Sequence, residues 1–250
     1  MDRREDRESA RLITAATLWL AGRLLLAGVP DPAPFDAVLA ARAHHGGFDY
    51  RGTTGQDRKR LAAYLANVAD ARPGEMSADE KKAFYVNAYN AMAIGIVLDR
   101  YPVKSIRDVE GAFTKIRRRI GGQELSLDDV ENRLREFKDA RIHFAIVCVS
   151  ESCPPLAPAA YRPEAISADL DRQGRAFVND PKRNVIDRAK GRLVLSKIFD
   201  WNRKEFERDA GSLAKYVARY VNGRETASWL ASNAVPAPAF LDYDWSLNQR

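Results

Sequence analysis

Two cysteines and one histidine are the residues of this sequence best suited to covalent chemistry. Cys153 is followed directly by Pro154 and Pro155. Because proline is favoured at the first position of a helix, we expect Cys153 to cap a helical turn whose dipole stabilises a thiolate. His143, a short distance upstream, is the only histidine apart from an adjacent pair near residue 45. A cysteine with a histidine base is a recurring arrangement in nucleophilic catalysis, so the pair indicates a thiol nucleophile.

The predicted secondary structure decides whether the cysteine and the histidine can meet. If residues 141–149 form a strand, the chain advances roughly 20 Å from His143 to Val149. The segment from Val149 to Cys153 can recover at most about 14 Å. The pair therefore meets only if the strand ends early or the loop folds straight back. A lone histidine among apolar residues is more often a hydrogen-bonded core residue, so that interpretation stays open.

Cys148 offers Cys153 a different partner. In an exported protein two cysteines this close in sequence could form a disulfide, provided that their Cα atoms lie about 4.4–6.8 Å apart. Disulfide, catalytic thiol and inert buried thiol all remain open. Three histidines and two cysteines lack the spacing of a zinc site, and no glycine-rich nucleotide-binding motif occurs. We expect neither a metal nor another cofactor.

Two asparagines are predicted to face the interior from the longest helix of the chain. Ser77 and Glu80 form a capping box that begins this helix, and we expect it to end near Arg100. At about 100° per residue, Asn87 and Asn90 fall inside or beside its apolar face. A buried carboxamide without partners costs roughly 2 to 7 kcal/mol. Each asparagine should therefore either clamp a loop, orient a catalytic group or donate to an oxyanion.

Glu131 belongs to a second predicted helix, from residue 127 to about 137. Asp128 and Asp129 precede it in the first turn, where negative charge suits the helix dipole. The dipole is the simplest explanation for these acids. Glu131 is also a candidate to orient His143.

The apolar segment 141–149, RIHFAIVCV, is predicted as a central strand because both of its faces are apolar. A hairpin at 114–127 and several helices surround it in the sequence. We therefore predict one α+β domain over residues 31–250, with a small mixed sheet around 141–149 packed by helices. A papain- or transglutaminase-like arrangement is one candidate. The aromatic residues at 243–245 are expected to dock the C-terminal tail onto the domain.

The N-terminal residues 1–30 are predicted to be a signal peptide or an apolar helix. Arg23 interrupts the apolar stretch, which falls short of the ~18 uninterrupted apolar residues of a membrane helix. We therefore expect a periplasmic or secreted protein without a stable membrane span after processing, with a cytoplasmic protein as the alternative. The excess of 40 Lys and Arg over 34 Asp and Glu is spread along the chain, so we expect a small-molecule or peptide ligand and no nucleic acid.

Five sequence segments carry a resemblance to a known family. They are FYVNAYNA at Phe84–Ala91, YPVKSI at Tyr101–Ile106, SLDDVE at Ser126–Glu131, RIHFAIVCVSESCPPL at Arg141–Leu156 and YDWSLN at Tyr243–Asn248. In order and spacing they resemble the motifs of the domain of unknown function 547 family, from about Phe35 onward. The resemblance implies a bacterial protein of a type that is often exported, and it supplies no reaction.

One departure from the family pattern concerns Asn132. The resemblance implies a histidine at this position, directly after the glutamate matched by Glu131. Plant-type relatives keep that pair and the cysteine matching Cys148, but tend to lack equivalents of His143 and Cys153. Chemistry that needs the Glu-His pair would be impaired here, whereas chemistry that needs His143 and Cys153 would belong to the bacterial branch alone.

These residues support two classes of function. The first is a thiol-dependent hydrolase or acyltransferase acting on amide or peptide bonds, with Cys153 as nucleophile, His143 as base, and Glu131, Asn87 or Asn90 orienting the base. The alternative is a non-catalytic cell-envelope binding or scaffolding domain. In that case the polar residues clamp loops, and the cysteines pair or stay buried.

Overall fold

The computed structural model describes residues 28–250 of the chain. The expected signal peptide or apolar helix at 1–30 lies outside the described residues, apart from positions 28–30. Within the described residues, no helix combines the length and the hydropathy needed to cross a membrane.

Helices make up most of this structure, and short strands join them. The α-helices are Ala33–Arg42 (α1), Gly55–Asp70 (α2), Ala78–Arg100 (α3), Leu127–Arg135 (α4), Ile166–Val178 (α5), Lys197–Trp201 (α6), Arg203–Ala210 (α7), Leu213–Ala218 (α8) and Arg224–Ala231 (α9). The strands are Ala43–His44 (β1), Gly47–Phe48 (β2), Arg118–Ile120 (β3), Gln123–Leu125 (β4), Val185–Asp187 (β5), Arg192–Leu195 (β6) and Ala239–Phe240 (β7). The predicted α+β class is confirmed.

Helix α3 runs through the centre of the domain. The predicted capping box is confirmed, since Ser77 Oγ accepts from the Glu80 amide and the Glu80 carboxylate accepts from the Ser77 amide. From Ala83 to Leu98 almost every residue is buried, so this helix is covered on all sides rather than along one stripe. Helices α2 and α4 pack against it. It therefore provides a fixed scaffold from which Asn87 and Asn90 reach the neighbouring loops.

The predicted central strand at 141–149 is wrong. Residues Ala140–Phe144 form a 3-10 helix, and the segment that follows is irregular until an isolated bridge at Ser150. The strands instead form hairpins β1–β2 and β3–β4 and a three-stranded sheet in the order β5-β6-β7. In that sheet β6 pairs antiparallel with β5 and parallel with β7. The run 141–149 is apolar because packing buries it on all sides, not because it belongs to a sheet.

Two apolar clusters form the core, and the 3-10 helix lies between them. Ile142 belongs to the larger cluster, which surrounds α3. Phe144 belongs to the second, where its ring lies 5.4 Å from that of Phe177 and 5.7 Å from that of Phe206. His143, between these two apolar residues, is thereby held at the junction of the two clusters.

The C-terminal tail docks onto the domain, as predicted. Leu247 forms an antiparallel bridge with Ser150, and the Asn248 amide donates to the carbonyl oxygen of Val149 at 3.0 Å. The Glu151 amide donates to the Ser246 carbonyl oxygen at 2.7 Å. These bonds hold the tail against the loop that carries the cysteines.

Candidate functional site

A buried turn brings Cys148 and Cys153 together. Val149, between Cys148 and Ser150, has φ 60°, a left-handed conformation that is a genuine outlier for a β-branched residue. Such strain persists only where the surroundings impose it, and it concentrates at functional sites. Here the tail bond to the Val149 carbonyl and the complete burial of its side chain impose it.

Asn90 fixes the entry to this turn. Its side-chain Nδ2 donates to the Ala145 carbonyl oxygen at 2.9 Å, and its Oδ1 accepts from the Val147 amide at 2.8 Å. One side chain of α3 thus supplies the hydrogen bonds that a neighbouring strand would have given. Asn87 does the same one helical turn earlier, because it donates to the Tyr161 carbonyl at 2.9 Å and accepts from the Tyr161 amide at 2.8 Å.

The exit from the turn is fixed by a buried arginine. Arg183 Nε donates to the Cys153 carbonyl oxygen at 2.6 Å, and its Nη2 donates to the Glu151 carbonyl oxygen at 2.8 Å. The predicted helical turn after Cys153 is wrong, because residues 154–157 are irregular. Because the residue before a proline is disfavoured in the helical conformation, Pro155 keeps Pro154 from continuing a helix there. A helix dipole therefore does not act on the Cys153 thiol.

Hydrogen bonds surround the Cys153 sulfur instead. Its Sγ accepts from the Cys148 amide at 3.1 Å and lies 2.7 Å from the Cys148 Sγ. The Ser150 hydroxyl lies 3.3 Å from it and the Tyr243 hydroxyl 3.2 Å. Cys153 is buried and Cys148 is half-buried, and neither forms a disulfide. Four donor groups thus converge on one sulfur atom.

These contacts set the acidity of the two thiols in opposite directions. Burial acts to raise the pKa of Cys153, but the hydrogen bonds from Cys148, Ser150 and Tyr243 outweigh it and lower the pKa to about 6. The hydrogen bond to Cys153 and burial together raise the pKa of Cys148 well above its ordinary value. Burial and the two nearby sulfurs also raise the pKa of Tyr243. The arrangement therefore favours a Cys153 thiolate, with protons retained on Cys148 and Tyr243.

His143 contacts carboxylates rather than the thiols. Its Nε2 lies 3.0 Å from Glu205 Oε2, and its Nδ1 lies 3.9 Å from Glu131 Oε1. Burial would raise the pKa of Glu205, but the bond to His143 and the charges of His143, Arg135 and Arg208 lower it. Glu205 on α7 therefore stays ionised and anchors the imidazole. The sequence-predicted pairing of Glu131 with His143 is a looser contact than this one.

Arg135 joins the two glutamates. Its guanidinium contacts Glu205 directly, reaches Glu131 at 2.6 Å, and donates to Asn202 Oδ1 at 2.7 Å. The cation offsets part of the negative charge that two carboxylates would otherwise concentrate around His143. The histidine, two glutamates and arginine thus form one hydrogen-bonded unit.

The two thiols line a single pocket together with His143 and Glu131. Its volume is about 390 Å³, and its lining residues are Tyr89, Phe113, Asp128, Glu131, His143, Ile146, Cys148, Cys153, Pro154, Ile198, Trp201, Asn202, Tyr243 and Trp245. Three predicted site residues, Cys153, His143 and Glu131, therefore meet in one cavity.

Asp128 also lines this pocket. Burial raises the pKa of Asp128, and the charges of Glu131 and Asp129 add to this effect.

The predicted direct contact between nucleophile and base is not formed within the described part of the chain. The Cys153 sulfur hydrogen-bonds to Cys148, Ser150 and Tyr243, whereas His143 binds Glu205. Asn87 and Asn90 do not line the pocket, and each uses both ends of its carboxamide on backbone groups. The geometry supports the clamping role that the sequence left open for them.

Asn132, where the family resemblance implies histidine, is exposed and does not line the pocket. The preceding residue, Glu131, points into the pocket instead. The departure from the family pattern therefore lies outside the cavity that holds the thiols and His143.

Sequence reasoning missed several residues of this site. Tyr243 was expected only to dock the tail. Ser150 lies in a segment that carries the family resemblance but had no assigned role, and Glu205 belongs to no recognised motif. Tyr243 and Glu205 lie 90 and 62 residues from the groups that they contact. Only the tertiary structure brings them to the cysteine and the histidine.

No curated protein and no solved structure matches the chain, so the papain- or transglutaminase-like arrangement remains a prediction. One family model matches, that of "Protein of unknown function, DUF547", over residues 73–178. This stretch includes both cysteines and all five sequence-predicted site residues. Residues 73–178 therefore belong to the domain of unknown function 547 family.

Proposed function

We propose that the pocket carries out thiol-dependent hydrolysis or acyl transfer at amide or peptide bonds, with Cys153 as the nucleophile. The single observation that carries the proposal is the convergence of Cys148, Ser150 and Tyr243 on the Cys153 sulfur at a pocket wall. A thiolate is the reactive form of cysteine. Because the hydrogen bonds already stabilise it, no base has to remove the proton during the reaction.

His143 then takes a different role from the one expected. The thiolate attacks the carbonyl carbon, and the bond to the leaving amine breaks when that nitrogen receives a proton. His143 lines the same pocket and is held by Glu205, so it is the group placed to supply this proton. Water or a second acceptor then releases the acyl group from Cys153, and this choice separates a hydrolase from an acyltransferase.

The donor for the developing oxyanion is the Tyr243 hydroxyl. The Cys153 amide is not free for this role, because it donates to the Ser150 carbonyl oxygen at 3.1 Å. Asn87 and Asn90 are occupied by backbone groups. Tyr243 lines the pocket and lies 3.2 Å from the attacking sulfur, which suits a donor to a tetrahedral intermediate.

A non-catalytic cell-envelope binding or scaffolding domain is the second candidate. The observation that favours it is the saturation of Asn87 and Asn90, since both amides hold loops together and neither reaches the cavity. In this case the pocket is a ligand-binding cavity, and the thiols have no substrate.

The test uses full-length reduced protein and a panel of activated acyl donors, comprising thioesters, aryl esters and aminoacyl anilides. Intact mass and peptide mapping measure acylation at Cys153. We expect a stoichiometric adduct on Cys153. The Cys153→Ala variant should lack this adduct, whereas the control variant Ser232→Ala, which is changed on the exposed surface, should retain it. Iodoacetamide labelling of the native protein shows whether Cys153 is reactive. If iodoacetamide labels Cys153 rapidly but no acyl donor forms an adduct, the result would contradict the acyl-transfer proposal and favour the binding domain.

A further inference from the structure

We propose that Cys148 and Cys153 form a thiol–disulfide couple, so that this pocket also exchanges two electrons with small disulfides. The two sulfur atoms lie 2.7 Å apart, against ~2.05 Å in a disulfide bond. Both cysteines line the pocket. This activity needs only the two thiols, so it does not depend on whether the pocket carries out acyl transfer.

The two thiols have distinct roles in such a couple. The Cys153 sulfur receives the hydrogen bonds that stabilise its thiolate, so it is the attacking group. Cys148 keeps its proton and is the resolving group. Thiol–disulfide exchange proceeds by attack of a thiolate on a disulfide sulfur through a mixed disulfide, and this pair supplies one attacking and one resolving sulfur in contact.

The reaction balances with a low-molecular-weight disulfide, RSSR, as oxidant. The Cys153 thiolate attacks one sulfur of RSSR, the S–S bond breaks, and RS⁻ leaves and takes a proton from water. The Cys148 thiol then loses its proton to water and attacks the Cys153 sulfur, which releases the second RS⁻, and this thiolate in turn takes a proton from water. The protein dithiol is oxidised by two electrons to the Cys148–Cys153 disulfide, and RSSR is reduced to two RSH.

The surroundings suit both oxidation states. Ser150 Oγ and Tyr243 OH each contact both sulfurs, and they also hydrogen-bond to each other at 2.9 Å. When the disulfide closes and no thiolate remains, one of these hydroxyls can donate to the other, and the second can turn its own proton toward a disulfide sulfur. The backbone around the turn is held by Asn90 and Arg183, so closure does not require the loop to refold.

The size of the pocket selects the partner. Cys153 is 2% exposed and is reached through a cavity of about 390 Å³, a volume typical of small-molecule sites. A cavity of this volume favours a small disulfide over one held in the surface of another protein. The structure therefore assigns the couple to small disulfides such as oxidised glutathione.

The experiment equilibrates full-length protein with graded ratios of reduced to oxidised glutathione and quenches the exchange with acid. The protein is then unfolded in denaturant and alkylated with excess iodoacetamide at about pH 8, where unfolded thiols ionise, and its intact mass is measured. We expect a two-state transition from a doubly labelled dithiol to an unlabelled species two hydrogens lighter. Little singly labelled protein should appear. No acyl donor is present in this experiment. Its outcome therefore does not depend on whether the acyl-transfer assay succeeds or fails.

Two variants separate the roles of the sulfurs. Cys148→Ser should accumulate a mixed disulfide with glutathione on Cys153, whereas Cys153→Ser should react several-fold more slowly at Cys148. Labelling of both thiols of the native protein at every glutathione ratio would overturn the proposal. Accumulation of a stable mixed disulfide in the native protein would overturn it as well, because Cys148 would then not be resolving Cys153.

Discussion

Replacing Tyr243 by phenylalanine tests the origin of the Cys153 thiolate. The change removes one hydroxyl, which lies 3.2 Å from the Cys153 sulfur, and leaves the ring in place. We expect the pKa of Cys153 to rise from about 6, because the thiolate loses a donor and the neutral thiol loses little.

The size of the effect follows from the strength of one hydrogen bond. A hydrogen bond to a charged group contributes about 1.5–3 kcal/mol, and one pKa unit corresponds to ~1.36 kcal/mol. The pKa of Cys153 should therefore rise by about one to two units. At pH 7 the thiolate fraction would fall from roughly 90% to between roughly 50% and 10%, so thiol alkylation should slow about two- to tenfold.

The assay is the rate of iodoacetamide alkylation at Cys153, measured by mass spectrometry on reduced native protein from pH 5 to pH 9. Tyr85→Phe is the matched control, because Tyr85 is half-buried on α3 and does not line the pocket. The midpoint of the rate profile should move upward in Tyr243→Phe and stay in place in Tyr85→Phe. An unchanged midpoint in Tyr243→Phe would refute the explanation of thiolate stability by this hydroxyl.

Three further results are expected. Asn90→Leu should lower the free energy of unfolding in urea by about 2–5 kcal/mol, because it leaves a buried carbonyl and a buried amide without partners, whereas exposed Asn132→Ala should change it by less than about 0.5 kcal/mol. His143→Gln should leave the pH midpoint of Cys153 alkylation unchanged, because no hydrogen bond joins the two described side chains; a shift of more than about one unit would restore the histidine as the base. Because the pKa of Cys153 is lowered in the folded protein, the unfolded chain binds more protons than the folded chain between about pH 6 and pH 9. The free energy of unfolding of the reduced protein should therefore rise with pH across this window, by at most about 4 kcal/mol. The raised pKa of Cys148 reverses the trend at higher pH. Urea unfolding with reductant at several pH values measures the rise, and an equal rise in Cys153→Ser would show that it comes from other groups.

Local signals predicted where α3 and α4 begin. The capping boxes at Ser77 and Ser126 begin α3 and α4 where the sequence places them, because a serine with an acid three residues later satisfies amides within one turn. Such signals need no knowledge of the rest of the chain. The burial of Asn87 and Asn90 followed in the same way from the position of each residue on a helix.

The segment 141–149 shows where this reasoning stops. An apolar run cannot by itself distinguish a buried strand from another buried segment, and here the backbone of Ala145 and Val147 is satisfied by the side chain of Asn90. Nothing in the run itself indicates that partner. The same holds for Glu205 and Tyr243, whose contacts with His143 and Cys153 depend on how distant segments pack.

The docked tail has a consequence for the order in which the site forms. Tyr243 follows Cys148 by 95 residues and Cys153 by 90, and contacts with such long loops form late in folding. A chain being made from its N-terminus contains both cysteines well before the tyrosine exists. We therefore expect both thiols of a newly made chain to have ordinary acidity. Cys153 should become a strong nucleophile only when the tail docks, so its reactivity indicates that the fold is complete.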